Sequence, residues 1–135
     1  MCEICKRIEL IKQGKEPYFI KEYATGYLSL FDNQAYPGYC LFIFKEHIEE
    51  IWQMSEGLRD QYFEELAEIV FRLNRWYQPR KMNYAFLGNG EHSRHLHCHI
   101  IPNNEGPRTI WHNNAYREYF DYDVQNVVEK IRNIL

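Results

Sequence analysis

Nothing in this sequence of 135 residues approaches the ~20 consecutive apolar residues of a bilayer-spanning helix. The opening segment, MCEICKRIELIK, puts charge into every turn and lacks the apolar stretch of a signal peptide. A cytosolic (cytoplasmic) protein is expected, with no membrane partner. Internal repeats, low-complexity tracts and linkers rich in Gly, Ser or Pro are also missing, which makes a single domain over residues 1–135 the economical reading. Charge of one sign is not in excess: 16 basic and 19 acidic side chains give a net charge of -3 and a pI near 6.1. That balance argues against general electrostatic binding to nucleic acid or anionic lipid. Cysteine is sparse, four in all. In a reducing compartment these are expected as thiols or metal ligands rather than disulfide halves.

Apolar residues make up 45% of the chain and 22 side chains are aromatic (11 Tyr, 8 Phe, 3 Trp). That suffices for a real core and excludes an intrinsically disordered chain. Ile4, Ile8 and Ile11 recur at helical spacing, with Gly14 and Pro17 closing a short first helix. Two strand-like runs follow, Tyr18 to Ala24 and Gly26 to Phe31, parted by a Thr25-Gly26 turn. A polar loop from Asp32 to Gly38, with a Pro37-Gly38 turn, leads to an apolar strand from Tyr39 to Phe44. Leu58, Tyr62, Leu66, Ile69, Leu73 and Trp76 mark one face of a long helix, capped by Ser55 and ended by Pro79. Strands are predicted from Met82 to Leu87 and from His95 to Ile101, the latter stopped by Pro102. A last helix spans Val124 to Leu135. Helix, three strands, long helix, two strands, helix is an α+β pattern with a mostly antiparallel, five-stranded sheet.

Three of the six histidines fall in His95-Leu96-His97-Cys98-His99-Ile100-Ile101. On a strand the imidazoles share one face while Leu96, Cys98 and Ile100 point into the core. Alternate residues sit roughly 6.6 Å apart, so the outer pair is about 13 Å apart, too far for one ion to collect all three. Three imidazoles with no common ion suggest separate tasks. A metal site is available elsewhere: the CxxC of Cys2 and Cys5 opens a helix, and His47 follows the central strand. With His95 they form a two-thiolate, two-imidazole set suited to structural zinc, leaving His97 free of metal. Cys40 and Cys98, flanked by apolar residues, read as core side chains. His92 and His112 read as surface histidines.

The triad run resembles the signature of the histidine-triad (HIT) superfamily, His-φ-His-φ-His-φ-φ with φ apolar. The resemblance extends from the CxxC through Lys45-Glu46-His47 to Pro102. With Tyr36-Pro37-Gly38-Tyr39-Cys40 and Asn83 to Asn89, it is similar to the small prokaryotic branch with a CxxC zinc site, often described as dinucleoside polyphosphate hydrolases. It implies a HIT-like fold, a homodimer with sheets joined across a two-fold axis, and nucleotide substrates. It also implies that His97 attacks the α-phosphorus to give a covalent nucleotidyl-histidine, which water resolves. A carbonyl on His97 Nδ1 would leave the Nε2 lone pair free for that attack. His99 would donate to phosphate oxygens, Asn89 would contact phosphate, and Asp32 would hold the ribose hydroxyls. His95 and His47 match the zinc-ligand histidines.

The chain also departs from that pattern. Relatives commonly carry Gly-Gln-Ser or Gly-Gln-Thr ahead of the triad, where the side chains assist the leaving group. Here Gly90-Glu91-His92-Ser93-Arg94 lacks the glutamine, leaving Ser93 and Arg94 as substitutes. Pro102-Asn103 replaces a frequent Pro-Arg, with Arg108 as the compensating cation. Dinucleoside polyphosphates and nucleoside phosphoramidates both stand as expected substrates. Two rival readings stay open: a non-catalytic, zinc-stabilised nucleotide-binding module, and a metal-dependent hydrolase using the triad histidines as ligands around an activated water.

Overall fold

A five-residue run that is apolar at every position, Cys40-Leu41-Phe42-Ile43-Phe44, needs cover on both faces. The computed structural model, which describes residues 2–105 and 117–135, supplies it. Arg108 and His112 lie outside the described residues. This run is β3 (Cys40–Phe44), buried throughout, at the centre of a sheet ordered β1-β2-β3-β5-β4. Its neighbours are β1 (Phe19–Glu22), β2 (Gly26–Leu30), β4 (Lys81–Phe86) and β5 (His97–Asn103). Every pairing among them is antiparallel.

Two helices cover one face. In α2 (Glu56–Tyr77), Tyr62, Leu66, Ile69 and Leu73 are buried against Leu28, Phe42, Phe44, Cys98 and Ile100. Tyr62 stacks on Phe42 with ring centroids 4.7 Å apart, and its hydroxyl donates to the Phe42 carbonyl at 2.8 Å. In α3 (Val124–Ile134), Val128 and Ile131 are buried, while Arg132 donates to the carbonyls of Ile20 and Phe19 and so ties the edge strand β1 to the helix. The opposite face is covered by α1 (Glu3–Lys12) through Ile4, Ile8 and Ile11, which pack with Tyr27, Leu41, Ile43 and Ile101.

The element order expected from the sequence is the one observed, with a single 3-10 turn, Ile51–Gln53, added before α2. The first strand is shorter than expected, Phe19–Glu22 rather than Tyr18 to Ala24, other ends shift by a residue, and three further details differ. Trp76, placed on the buried face of α2, is 55% exposed, because Tyr77, four residues after the buried Leu73, takes the core-facing position in the last turn. Ser55 stands at the N-cap with extended backbone but makes no capping bond through its side chain. The strand expected from His95 to Ile101 starts two residues later and runs through Pro102 to Asn103. Proline is tolerated there because pairing with β3 ends at Ile100 and only β4 flanks residue 102.

The loop between β2 and β3 is less exposed than its polarity implies. Gln34 is buried, its amide donating to the Phe31 and Tyr39 carbonyls and its carbonyl oxygen accepting from the Gly38 N–H. One side chain thus satisfies three buried backbone groups, and the loop lies flat against the end of the sheet. Gly38 takes a left-handed φ of +89° against the Tyr77 ring, which a Cβ would meet at 2.6 Å.

The α2 face carries most of the core. Replacing the fully buried Ile69 by Ala should lower unfolding free energy by about 2–5 kcal/mol, read from the midpoint of a urea titration. A change below about 1 kcal/mol would show that this face is not the main core.

Candidate active site and metal centre

The segment ahead of β5 is stitched to the end of β3. Phe44 N–H donates to the Leu96 carbonyl (3.0 Å) and Leu96 N–H to the Ile48 carbonyl (2.7 Å). This holds His95 beside β3, where its Nε2 lies 2.6 Å from the Phe44 carbonyl oxygen. A carbonyl only accepts, so Nε2 carries the proton and Nδ1 presents a lone pair. Facing that lone pair are Cys5 Sγ at 3.5 Å, Cys2 Sγ at 3.8 Å and His47 Nδ1 at 3.3 Å. His47 Nδ1 is itself 3.3 Å from Cys5 Sγ.

These four donor atoms all lie within 4.8 Å of one another. A tetrahedron built on Zn–S and Zn–N bonds has edges of about 3.3–3.8 Å, which the four contacts just given match. Cys2, Cys5, His47 and His95 therefore form a group able to hold a metal ion, as the sequence predicts. Cys2 does not fray: it caps α1, its Sγ accepting from the Cys5 N–H at 3.1 Å. Burial, then the hydrogen bond and charge of Cys2, push the Cys5 thiol up to about 11. A bound cation reverses that preference by stabilising thiolate.

The next imidazole is held differently. His97 Nδ1 sits 2.6 Å from the carbonyl of His95, so the proton resides on Nδ1 and Nε2 has a free lone pair. Burial lowers its pKa, the carbonyl bond opposes this, and the positive charge of Arg7 adds to the lowering. His99 lies beside it, ring centroids 4.9 Å apart, with its Nδ1 2.8 Å from the Tyr39 hydroxyl. Burial, and then His97, bring His99 down to about 4. Both rings are neutral at pH 7.

His97 and His99 open into a cleft of about 670 Å³ between α1 and the loop after β4. Asn89 and Ser93 line it together with Gly88 and Gly90. Gly88, at φ +109°, passes close to the triad: a Cβ there would stand 3.0 Å from the Ser93 carbonyl and 3.9 Å from His97 Cε1. The other two expected substrate residues stand elsewhere. Arg94 pairs with Glu49 at 2.9 Å and lines a separate depression with Glu50 and Ile51. Asp32 follows Phe31, which does line the cleft, but its own carboxylate accepts from the Asn33 N–H at 2.8 Å.

Sequence reasoning missed the other wall. Lys6, Arg7 and Leu10 of α1 line the cleft, yet the helix reads only as a core helix from its isoleucines. Tyr39 was also missed, since its approach to His99 depends on the β3–β5 register, which pairs Leu41 with His99.

Residues 20–106 match the HIT domain family. The chain is similar to the protein named hit of Bacillus subtilis (strain 168), 29% identical over 117 residues, covering 82% of this chain and 78% of that one. Its fold is similar to that of a histidine triad protein from Bradyrhizobium japonicum, with a TM-score of 0.73, 24% identity, and coverage of 85% and 87% of the two chains. It is also similar to that of a Zn-bound histidine triad family protein from Mycobacterium smegmatis, with a TM-score of 0.67, 19% identity, and coverage of 98% and 91%.

The lowered histidines make stability depend on pH in a definite sense. A ring kept neutral in the fold but protonating near 6.5 when unfolded stabilises the protein above that pH. The contribution is lost as pH falls towards the folded value of about 4 for His99. Between those limits each such histidine adds a slope of at most about 1.4 kcal/mol per pH unit. Replacing His99 by Asn should flatten the fall in urea midpoint between pH 6.5 and 4 (the interval just derived); an unaltered slope would refute the assignment.

Proposed function

Because this chain belongs to the HIT domain family, we propose that it cleaves nucleotides at the α-phosphate, with His97 as nucleophile and a dinucleoside polyphosphate or a nucleoside phosphoramidate as substrate. The observation that carries this is the 2.6 Å contact of His97 Nδ1 with the His95 carbonyl, which aims an unprotonated Nε2 into the cleft. In the first step the Nε2 lone pair forms a P–N bond as the bond from phosphorus to the leaving group breaks. The leaving group departs with that electron pair, as an anion from a polyphosphate or, where it is an amine, with a proton taken from solvent. In the second step water attacks phosphorus and gives up a proton to solvent, the electron pair of the P–N bond returns to Nε2, and the nucleoside monophosphate is released.

His99 donates to the phosphate oxygens as charge builds on them. In this reading the Tyr39 hydroxyl, 2.8 Å from Nδ1, donates to it and so keeps the His99 proton on Nε2 for that purpose. Asn89 and Ser93, both on the cleft wall, contact phosphate. Asp32, next to Phe31, receives the ribose hydroxyls, while Arg94 serves the leaving group only if it releases Glu49.

The ion of the Cys2, Cys5, His47 and His95 group is proposed to be zinc, placing the chain in the CxxC branch of the family. When bound, it supplies a structural cross-link from α1 to the start of β5. Because α1 provides two of its donors as well as a wall of the cleft, residues 1–135 act as one unit. The cysteines work reduced, in the cytosol; among the described residues no helix is long and apolar enough to cross a membrane. The protein acts as a homodimer. Its β4 edge and an apolar groove of about 720 Å³ beside Phe63, Phe71, Tyr84 and Phe86 suit a second copy.

The rival in which the triad histidines ligate a catalytic ion is disfavoured by the donor grouping, which takes His95 and neither His97 nor His99 among the described residues. The non-catalytic reading draws support from Arg94, held by Glu49 away from the cleft.

Replacing His97 by Ala should abolish turnover of diadenosine tetraphosphate and adenosine phosphoramidate, together with the labelled adduct trapped by acid-free quenching, while metal content stays at the parent level. Metal lost in step with activity would favour the rival with ligating triad histidines, and nucleotide binding without adduct or product in the parent would favour the binding module. Separately, Cys5→Ser should lower zinc content and melting temperature together; if neither moves, no structural ion is present.

A further inference from the structure

The four cysteines stand in two environments. Cys40 and Cys98 are fully enclosed, in the core layer between the sheet and α2. Cys2 and Cys5 are partly exposed, and of the imidazoles beside them His47 is exposed and His95 buried. A small solute therefore reaches one pair of sulfurs and not the other. The reachable pair supplies two of the four donors in the metal group.

These two sulfurs also stand where they can bond to each other. Cys2 caps α1, and its Sγ accepts from the Cys5 N–H at 3.1 Å. Cα atoms three positions apart on a helix are separated by about 5 Å, inside the roughly 4.4–6.8 Å that a disulfide spans. The two Sγ atoms lie within 4.8 Å of each other, a gap that rotation about the Cα–Cβ bonds closes. Thiolate, the form a bound cation imposes, is also the form that a peroxide oxidises. In a reducing compartment such a bond is transient and serves sensing.

We propose that Cys2 and Cys5 are a reversible oxidation site, which hydrogen peroxide closes into a disulfide, releasing the metal ion and loosening α1 as a wall of the triad cleft. This inference rests on the zinc and nucleotide readings above. One thiolate attacks a peroxide oxygen, the O–O bond breaks, and that sulfur becomes a sulfenic acid. The other thiolate then attacks this sulfur and expels hydroxide. Two thiolates, one peroxide and two protons from solvent thus give one disulfide and two waters, with two electrons passed from sulfur to oxygen. The two imidazoles left are too few to keep the ion. The first turn of α1 then rests on the Glu3 N–H bond to the His92 carbonyl (2.8 Å) and on its isoleucines. Lys6, Arg7 and Leu10, in the turns that follow, line the cleft. A dithiol reverses the closure by exchange.

The test treats the zinc-loaded protein with stoichiometric hydrogen peroxide. A chromogenic chelator should register the released zinc, and the thiol titre of the unfolded chain should fall from four to two. The tryptic peptide of residues 1–6 should lose two hydrogen atoms. Hydrogen exchange should show α1 losing protection, and calorimetry a drop of about fivefold or more in affinity for adenosine monophosphate. Dithiothreitol followed by zinc should restore every value, and Cys2→Ser should form no disulfide at the same dose. Four thiols left intact, loss of Cys40 or Cys98 instead, or a sulfinic acid in place of the disulfide overturns the proposal. So does a disulfide that leaves α1 exchange unchanged. The readings beneath it fail separately. A parent that binds no adenosine monophosphate sinks the nucleotide reading, while thiol titre, zinc release and α1 exchange still decide the switch. If the parent takes up no zinc, the metal reading falls and this proposal with it.

Discussion

The ring of His95 gives its Nε2 proton to the Phe44 carbonyl and turns its Nδ1 lone pair to two thiols and a second imidazole. Its backbone carbonyl takes the Nδ1 proton of His97. One residue therefore sets the protonation pattern of two sites: a donor group outside the cleft and a neutral imidazole, the proposed nucleophile, within it. Neither hydrogen bond can be reversed, because both acceptors are carbonyls. The position of His95 depends in turn on the backbone bonds that join Phe44, Leu96 and Ile48, so the end of the central strand fixes the chemistry of both sites.

The sheet explains why these rings sit where they do. Cys98 and Ile100 face the thick layer formed by α2 and α3, whereas His97 and His99 face the single helix α1, which leaves room for a cleft. Burial beneath α1 keeps both rings neutral at physiological pH. The nucleophilic role proposed for His97 needs that state. A helix laid directly over the strand would also have filled the space a nucleotide needs.

Much of this was legible in the sequence, for physical reasons that differ by element. The long helix declared itself through six residues from Leu58 to Trp76 spaced by three and four, of which Tyr62, Leu66, Ile69 and Leu73 are buried. The central strand did so through unbroken apolarity. The metal group could be assembled before any coordinates because its side chains have few other uses together, and the structure gathers the same four. Illegible were contacts made by register or by loop closure. Tyr39 reaches His99 only because β3 and β5 pair as they do. Arg94 belongs to Glu49 because the backbone bond from Leu96 to Ile48 brings the two segments alongside each other. Trp76 misled because spacings of three and of four both continue the face from Leu73, and it is Tyr77 that packs on the core.

The locked tautomer of His97 has a stereochemical corollary. Its pros nitrogen, Nδ1, is spoken for by a backbone oxygen, so a phosphorus atom taken up by this ring bonds to the tele nitrogen alone. The two isomers of a phosphorylated imidazole differ in acid lability and in nitrogen chemical shift. A fold that shields one nitrogen thereby writes its geometry into the identity of a small, isolable molecule.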